Sequence, residues 1–580
     1  MKPSTGNSGA LGTISHFFFS TDHKVVAIQY VVSALIMLFV GFLFMLLMRW
    51  QLAYPFQSLP LIGGWFPEDH PTMPGGVITA NFYNQLGAMH GTIMIFLAVV
   101  PLAVGGFGTY LVPLMLGATG LAFPRLSKLG YWCYLSGTLI LLGSFFLPGG
   151  AANSGWTAYP PLSVIENAGQ TTWLIGVAFV YFSSLVLSIN ILTTIVQLRC
   201  KGLGFMRLPF FVWSQLVTSV LLLLAFPPLV AAAVMQLMDR ILGSSFFLPS
   251  GLVISGEALD VSGGGSALLW QHLFWFLAHP EVYVLLLPAF GVVAEVIAAN
   301  TRKPLFGYKG MVYSSIFLGI MSMLVWAHHM FLTGMGITLS EFFQITTIII
   351  SLPAVIVATS LVVSLWGGSI RFSVPMLYAL AFLPMFGIGG LTGLPLAMSA
   401  TNIMLHDTYY VIGHFHYVVA PGILFALFAG IYHWYPKVTG RKMNDRLGRW
   451  HFWPTLICMN GIFSHQILQG FAGVSRRLYD CGKSYAHGME AFGLNSGATW
   501  AAFGLLLVQA FFIVNFFYSL KCGEKVDRNP WKATSLEWAA PSPPLPEVNF
   551  ETPPAAYRDA MTYSEPGAEK DYSPQWEPSS

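Results

Sequence analysis

Two histidines stand two residues apart in the run His406-Asp407-Thr408-Tyr409-Tyr410-Val411-Ile412-Gly413-His414-Phe415-His416, which leads into an apolar segment ending near Tyr435. On a helix each residue turns the chain by about 100°, so His414 and His416 point roughly 200° apart and can serve two separate sites. Neutral imidazole is the commonest metal ligand. Four more histidines share this setting. His90 lies in Ala88-Met89-His90-Gly91, His279 in His279-Pro280-Glu281-Val282-Tyr283, and His328 with His329 in Trp326-Ala327-His328-His329-Met330-Phe331. Any one of these could be a histidine hydrogen-bonded between helices; six in one bundle, including an adjacent pair, point to metal chemistry. Imidazole sets suit iron or copper, whereas magnesium and calcium prefer oxygen. His272 is the counter-case. It shares a face with His279 but lies two turns away, roughly 10.5 Å, so one ion cannot bind both. With His16, His23, His70, His433, His451, His465 and His487, it is assigned to surface or hydrogen-bonding roles.

The elements that must position these ligands lie in a membrane. Of 580 residues, 55% are hydrophobic and 9% charged, and the mean hydropathy is +0.65. Such a chain is a polytopic membrane protein rather than a set of soluble domains. Ionisable side chains inside spans are costly and usually functional, and an aromatic content of 15% suits a large flat cofactor such as haem. A net charge of +3, with no basic helix, excludes nucleic acid as a partner. The five cysteines, Cys133, Cys200, Cys458, Cys481 and Cys522, show no metal-ligand spacing. No removable signal precedes Thr21, so the first apolar segment is itself a span.

Runs of about 20 apolar residues predict twelve spans, beginning near Val25, Gln85, Gly130, Thr172, Pro209, Ala267, Lys309, Glu341, Val374, Tyr409, Trp450 and Thr499. Residues 1–24 form an N-terminal segment, 25–522 the bundle and 523–580 a tail. Alternate connections carry Arg125 and Lys128; Arg199, Lys201 and Arg207; Arg302, Lys303 and Lys309; Arg371; and Lys437, Arg441, Lys442, Arg446 and Arg449. Those loops are cytoplasmic by the positive-inside rule, and an even span count puts both termini there too. Arg476 and Arg477, with Lys483, break the pattern, and such a pair on the outer side requires a local anion. The prolines and charges of the tail argue against a packed domain. It is expected to lie extended on the complex. No internal repeat of the transporter kind is visible.

These motifs resemble subunit I of the haem-copper oxidases, in particular the cytochrome c oxidase branch. The likeness runs from Ser20-Thr21-Asp22-His23-Lys24, through Gly155-Trp156-Thr157-Ala158-Tyr159-Pro160-Pro161-Leu162 and Trp270-Gln271-His272-Leu273-Phe274-Trp275-Phe276, to Asn529-Pro530-Trp531. It implies an all-α bundle of twelve transmembrane helices holding two haems and one copper. His90 and His416 would be the axial ligands of a low-spin haem, and His414 would hold the high-spin haem. His279, His328 and His329 would bind copper. The family's covalent link would join His279 to Tyr283, and a spacing of i and i+4 puts both on one face. Iron, copper and the phenol would together supply the electrons that split the O–O bond, Tyr283 giving the last electron and a proton. Arg476 and Arg477 would meet haem propionates, which accounts for their misplaced charge. His406 and Asp407 match the family's magnesium or manganese site, and Arg49 matches the arginine on a haem formyl group, which points to haem a.

Two proton routes depart from the family. Gly120 stands where an aspartate opens one route, with Ser127-Lys128 in place of an asparagine pair. In Pro353-Ala354-Val355-Ile356-Val357, Ala354 and Val357 replace the threonine and lysine of the other. Glu281 remains beside the copper ligands, where a buried carboxyl can relay protons. Thr346, Thr347, Ser351, Thr359, Ser360 and Ser364 allow either a substitute water path in span eight or hydroxyls bonded back to their helix. The resemblance implies a respiratory terminal oxidase in the bacterial inner (cell) membrane that reduces O2 to water, with reduced or unconventional proton pumping. Electrons would come from cytochrome c or a similar donor through a subunit II carrying a dinuclear copper centre, alongside subunit III or other small membrane subunits and lipid. The rivals are nitric oxide reduction, a transporter with a histidine relay and a haem-free structural homologue.

Overall fold

The computed structural model describes residues 17–254, 256–259, 263–480 and 491–578. Among them are twelve helices of fifteen residues or more. They are α1 (His23–Ala53), α2 (Ala80–Met115), α3 (Pro124–Gly143), α4 (Ala168–Gln197), α5 (Phe210–Ile241), α6 (Ala267–Thr301), α7 (Tyr308–Ser322), α8 (Ile337–Leu365), α9 (Val374–Ala397), α10 (Tyr409–Thr439), α11 (Asp445–Phe471) and α12 (Leu494–Cys522). Ten are long and apolar enough to cross a membrane. The other two are α7, which is 15 residues long, and α11, which carries Arg446, Arg449, Asn460 and Gln466. Both stand where the sequence placed spans seven and eleven. Helix is the expected solution, because lipid leaves no partner for an unpaired backbone amide.

Local signals set the ends that matter for the site. Thr79 caps α2 by accepting from Phe82 N at 3.3 Å, and Thr408 caps α10 by accepting from Tyr410 N at 3.2 Å. Gly440 closes α10 at φ +69, where a residue without Cβ is unstrained. Two helices are wound wider than an α-helix shortly after His90 and His416: α2 over Ile93–Val99 and Pro101–Gly108, and α10 over Val419–Leu424. Such π-segments frequently mark functional sites. No periodicity in the sequence announced them.

The tail lies along the bundle and is buried against it. It is extended apart from one short turn, Leu536–Ala539, yet Trp538, Asn549 and Gln575 are wholly buried. Asn549 Oδ1 accepts from Lys24 Nζ at 2.8 Å and contacts His23 Nε2 at 3.0 Å, while its Nδ2 donates to Ala118 O at 2.9 Å. Farther along, Ala556 N donates to Lys201 O, Gln575 Nε2 donates to Arg207 O, and Arg302 Nε donates to Asp571 Oδ2 at 2.8 Å. One strand of chain therefore ties together the Arg- and Lys-rich loops, which lie at one end of the bundle. Prolines and charges disfavoured a self-contained domain, but they did not prevent burial against loops supplied by the helices.

Candidate metal centre

His279 from α6 and His328 and His329 from the turn after α7 (Trp326–Met330) bring their ring nitrogens within 4.8 Å of one another. His279 Nδ1 lies 3.2 Å, and His328 Nε2 3.1 Å, from His329 Nε2. Nitrogens this close can share a cation or a hydrogen bond between neutral rings. Thr347 on α8 fixes one of them: its hydroxyl is 3.0 Å from His328 Nδ1 and donates to Phe343 O. It therefore accepts from the Nδ1–H and leaves Nε2 free as a ligand. The His329 ring lies flat on Trp275, with centroids 3.7 Å apart. His279 Nε2, facing away from the cluster, has no partner. The Tyr283 ring is 5.0 Å from that imidazole on the same helix face, and Glu281 is buried with Oε1 unpartnered.

His414 and His416 do serve opposite sides of α10. His416 faces His90 on α2, the rings nearly parallel with centroids 6.5 Å apart. Two metal–nitrogen bonds span about 4 Å, and the ring radii make up the rest, so one ion fits between them. His90 Nδ1 donates to Gly41 O at 2.8 Å and His416 Nδ1 to Ile412 O at 2.9 Å, which leaves both Nε2 atoms available. On the other face His414 Nδ1 donates to Gly389 O at 2.8 Å. Gly393 on α9 lets that ring approach, since a Cβ there would sit 2.9 Å from His414 Cε1. Arg49 is buried; its Nη2 donates to Asn495 O and Oδ1, while Nη1 has no partner.

The anion beside Arg476 and Arg477 is partly the chain's own. Arg476 Nε donates to Asp407 Oδ1 at 2.6 Å, and Arg477 is exposed beside it. Burial opposes ionisation of Asp407, yet Arg476 and its neighbours hold the carboxyl below the ordinary carboxylate range. Burial also lowers the His406 imidazole, against the pull of Asp407 and with the help of Arg476 and Arg477. His406 Nε2 and Asp407 Oδ2 are 3.5 Å apart, a neutral nitrogen beside a charged oxygen.

Thr346, Thr347, Ser351 and Ser364 all donate to carbonyls three or four residues earlier in α8. Val357 is buried and Thr359 exposed, and those four hydroxyls are bonded back to their helix. Gly120 has only the His23 ring within 4 Å of a Cβ position, and Lys128 Nζ is committed to Gln29 Oε1 at 2.7 Å. Among the histidines given surface or hydrogen-bonding roles, His272 Nδ1 accepts from Trp326 and His451 meets Tyr378. His433 departs from that assignment: it is buried and stacked on Trp531 with Nδ1 unpartnered. His16 and His487 lie outside the described residues. Sequence reasoning missed Thr347, Gly389 and Gly393 as positioning residues. Their partners come from other helices, and no spacing along the chain signals them.

A family model described as cytochrome c and quinol oxidase polypeptide I matches residues 25–516. An alternative cytochrome c oxidase subunit 1 from Bradyrhizobium diazoefficiens is 42% identical over 573 residues, 97% of this chain and 93% of that protein. Cytochrome c oxidase subunit 1 of Synechocystis sp. is 42% identical over 93% of this chain and 91% of its own length. That of Cereibacter sphaeroides is 37% identical over 94% and 96%. Among solved structures, a heme-copper terminal oxidase dimer aligns with a TM-score of 0.71 over 93% of this chain and 88% of that one, at 21% identity, a likeness of fold.

Proposed function

The chain belongs to the cytochrome c and quinol oxidase polypeptide I family, and from that premise we propose that it is the catalytic subunit of a respiratory terminal oxidase reducing O2 to water with electrons from cytochrome c. The observation that carries this reading is the His279, His328 and His329 cluster with Tyr283 on the same helix face. Helices α1 to α12 are taken as twelve spans of a bacterial inner membrane, with both termini cytoplasmic; the tail's contacts with the Arg- and Lys-rich loops support that orientation.

The residues fit the groups the family carries. His279 Nδ1, His328 Nε2 and His329 Nε2 would hold copper. The free Nε2 atoms of His90 and His416 would hold a low-spin haem, and His414 a high-spin haem of the a type. Arg49, with Nη1 unpartnered, would donate to the formyl oxygen of haem a. Arg476 and Arg477 would meet propionates, and His406 with Asp407 would ligate magnesium or manganese. Bound there, iron and copper would supply the one-electron chemistry of oxygen reduction. The chain's own part is to hold and deliver protons. Tyr283 carries one on its phenol, and the unpartnered His279 Nε2 supports a covalent bond to that ring. Glu281 is placed to relay others. Thr347 keeps His328 in the tautomer whose Nε2 faces the cluster.

Electrons need a second chain: among the described residues Cys133, Cys200, Cys458 and Cys522 are free thiols in separate places, and the five cysteines of the sequence show no metal-ligand spacing. A subunit II bearing that centre, with subunit III or other small membrane subunits, would complete the complex. Nitric oxide reduction finds no support among the relatives above, and a histidine-relay transporter is not consistent with the family.

The test is the purified complex. Optical spectra should show haem, metal analysis should show copper, and reduced cytochrome c should drive oxygen uptake. In His279→Asn, copper and uptake should be lost while the haem between His90 and His416 stays. A complex replete in haem and copper that consumes nitric oxide but no oxygen would overturn the reading.

A further inference from the structure

Oxygen reduction consumes protons, and those protons must reach a buried site from one side of the membrane. Two buried carboxyls that the reading above does not use lie on the Arg- and Lys-rich side. Glu295, near the end of α6, is 5% exposed, and its Oε1 accepts from Phe211 N at 3.2 Å. Glu537, in the short turn of the tail, is 1% exposed; its Oε1 accepts from Ser535 Oγ at 2.8 Å, while Oε2 has no partner of full hydrogen-bond geometry. The indole N–H of Trp434, also buried and likewise unpartnered, faces Glu537. The two carboxyls are within electrostatic reach of each other.

The cations nearby are spent elsewhere. Lys437 Nζ donates to Ala540 O at 2.7 Å and Arg528 O at 3.1 Å, and Arg302 is paired with Asp571. The phenol of Tyr308 is within electrostatic reach of Glu295, and that of Tyr563 of both carboxyls. Among the described residues neither Glu295 nor Glu537 has an ion-pair partner. Two carboxylates buried this way cannot both be ionised cheaply, so at least one proton is retained between them.

Between this pair and the metal cluster, α5 runs antiparallel to α6. Gly291 backs onto Phe211 and Ser214, which sets the register. From Glu295 to Glu281 is 295 − 281 = 14 residues, about 21 Å and nearly four turns, so the two acids share roughly one face. Over that span Gln215 Oε1 and Thr218 Oγ1 on α5, Tyr181 OH on α4 and Glu281 Oε1 are all buried without partners. Tyr181 is within electrostatic reach of Glu281. Orphaned polar atoms at this depth are the usual signature of ordered water.

We propose that Glu295 and Glu537 form a proton-collecting pair at the inner end of the bundle, passing protons through ordered water beside Gln215, Thr218 and Tyr181 toward Glu281. Each transfer breaks one O–H bond at the pair and forms one on the adjoining water, while a proton from the inner aqueous phase restores the first. No electron moves. The tail is then part of the proton supply, and Gly120 and Val357 need not be substituted in place. Burial pushes the Glu537 carboxyl up, against the pull of Ser535, Trp434 and Lys437, in keeping with a group that holds a proton.

The inference rests on the oxidase reading and is tested on the intact complex. In Glu537→Gln, oxygen uptake with saturating reduced cytochrome c should fall roughly tenfold or more, most steeply at alkaline pH, with haem spectra unchanged. Glu537→Asp should recover much of the rate. The infrared difference spectrum of reduced minus oxidised wild type should contain a carboxylic C=O band that shifts in D2O and is absent from Glu295→Gln. Should Glu537→Gln fail to assemble, the Glu295→Gln spectrum decides: a band that persists there belongs to another carboxyl, such as Glu281, and overturns the pair. Unaltered turnover and pH profile in Glu537→Gln, or no exchangeable band in the wild type, would overturn the pair while leaving the oxidase reading standing. Absence of oxygen uptake in the wild type would instead remove the oxidase reading.

Discussion

At the scale of single residues, the histidines proposed as ligands are defined by which nitrogen each one leaves free. His90, His414 and His416 each spend Nδ1 on a backbone carbonyl, whereas His328 spends it on the Thr347 hydroxyl. That last contact is the most easily removed. Thr347→Val keeps the shape and deletes the acceptor, so copper affinity or turnover should fall about 10- to 100-fold. Copper content per haem in the purified variant measures it, and full copper with wild-type turnover would refute the role given to Thr347.

Helices matter here through how closely they approach. α9 meets α10 where Gly389 and Gly393 leave room for the His414 ring and Val418. A side chain at Gly393 would enter the space of His414, and overpacking of this kind costs about 1–3 kcal/mol. Gly393→Val should therefore displace the imidazole and lose the haem assigned to His414, while absorbance of the haem between His90 and His416 persists. Extracted haem per chain distinguishes that result from general unfolding. Helix α8 argues the opposite case. Thr346 and Ser364 bond to their own backbone, and Val357, packed in apolar surroundings, can neither donate nor accept a proton. Proteoliposomes given an oxygen pulse with an ionophore should then show weaker proton ejection per electron than an enzyme with both standard routes. Ejection as strong as that enzyme's would show that another route, such as the Glu295 and Glu537 pair, also supports pumping.

For the whole molecule, the tail joins loops that are far apart in sequence. Asn549 satisfies His23, Lys24 and Ala118 at once, so Asn549→Ala strands buried polar groups and should destabilise that end of the bundle by about 1–3 kcal/mol. Limited proteolysis of the tail would report it. A second anchor is Asp571. Burial works against its ionisation, but Arg302 holds the carboxyl below its ordinary 3.8. A depressed value means that this contribution is present above 3.8 and disappears as pH falls through the lower folded value. Tail protection against hydrogen exchange should thus be constant from neutral pH down to about 4 and weaken only below it, and Asp571→Asn should abolish that acid dependence.

The sequence alone determined the membrane class, the order of the helices and the two-sidedness of His414 and His416. Each of these follows from a local rule: lipid forces apolar runs into helices, and helical rotation places neighbours on known faces. Start positions agreed to within a few residues, because apolar length and caps are also local. The tertiary structure alone decided what crosses between elements. Thr347 came to His328 from another helix, the tail was buried by loops hundreds of residues away, and Glu537 was set opposite Glu295 and Trp434. Proline and charge content describe what a segment can form by itself; burial depends on surfaces that exist only once the helices have assembled.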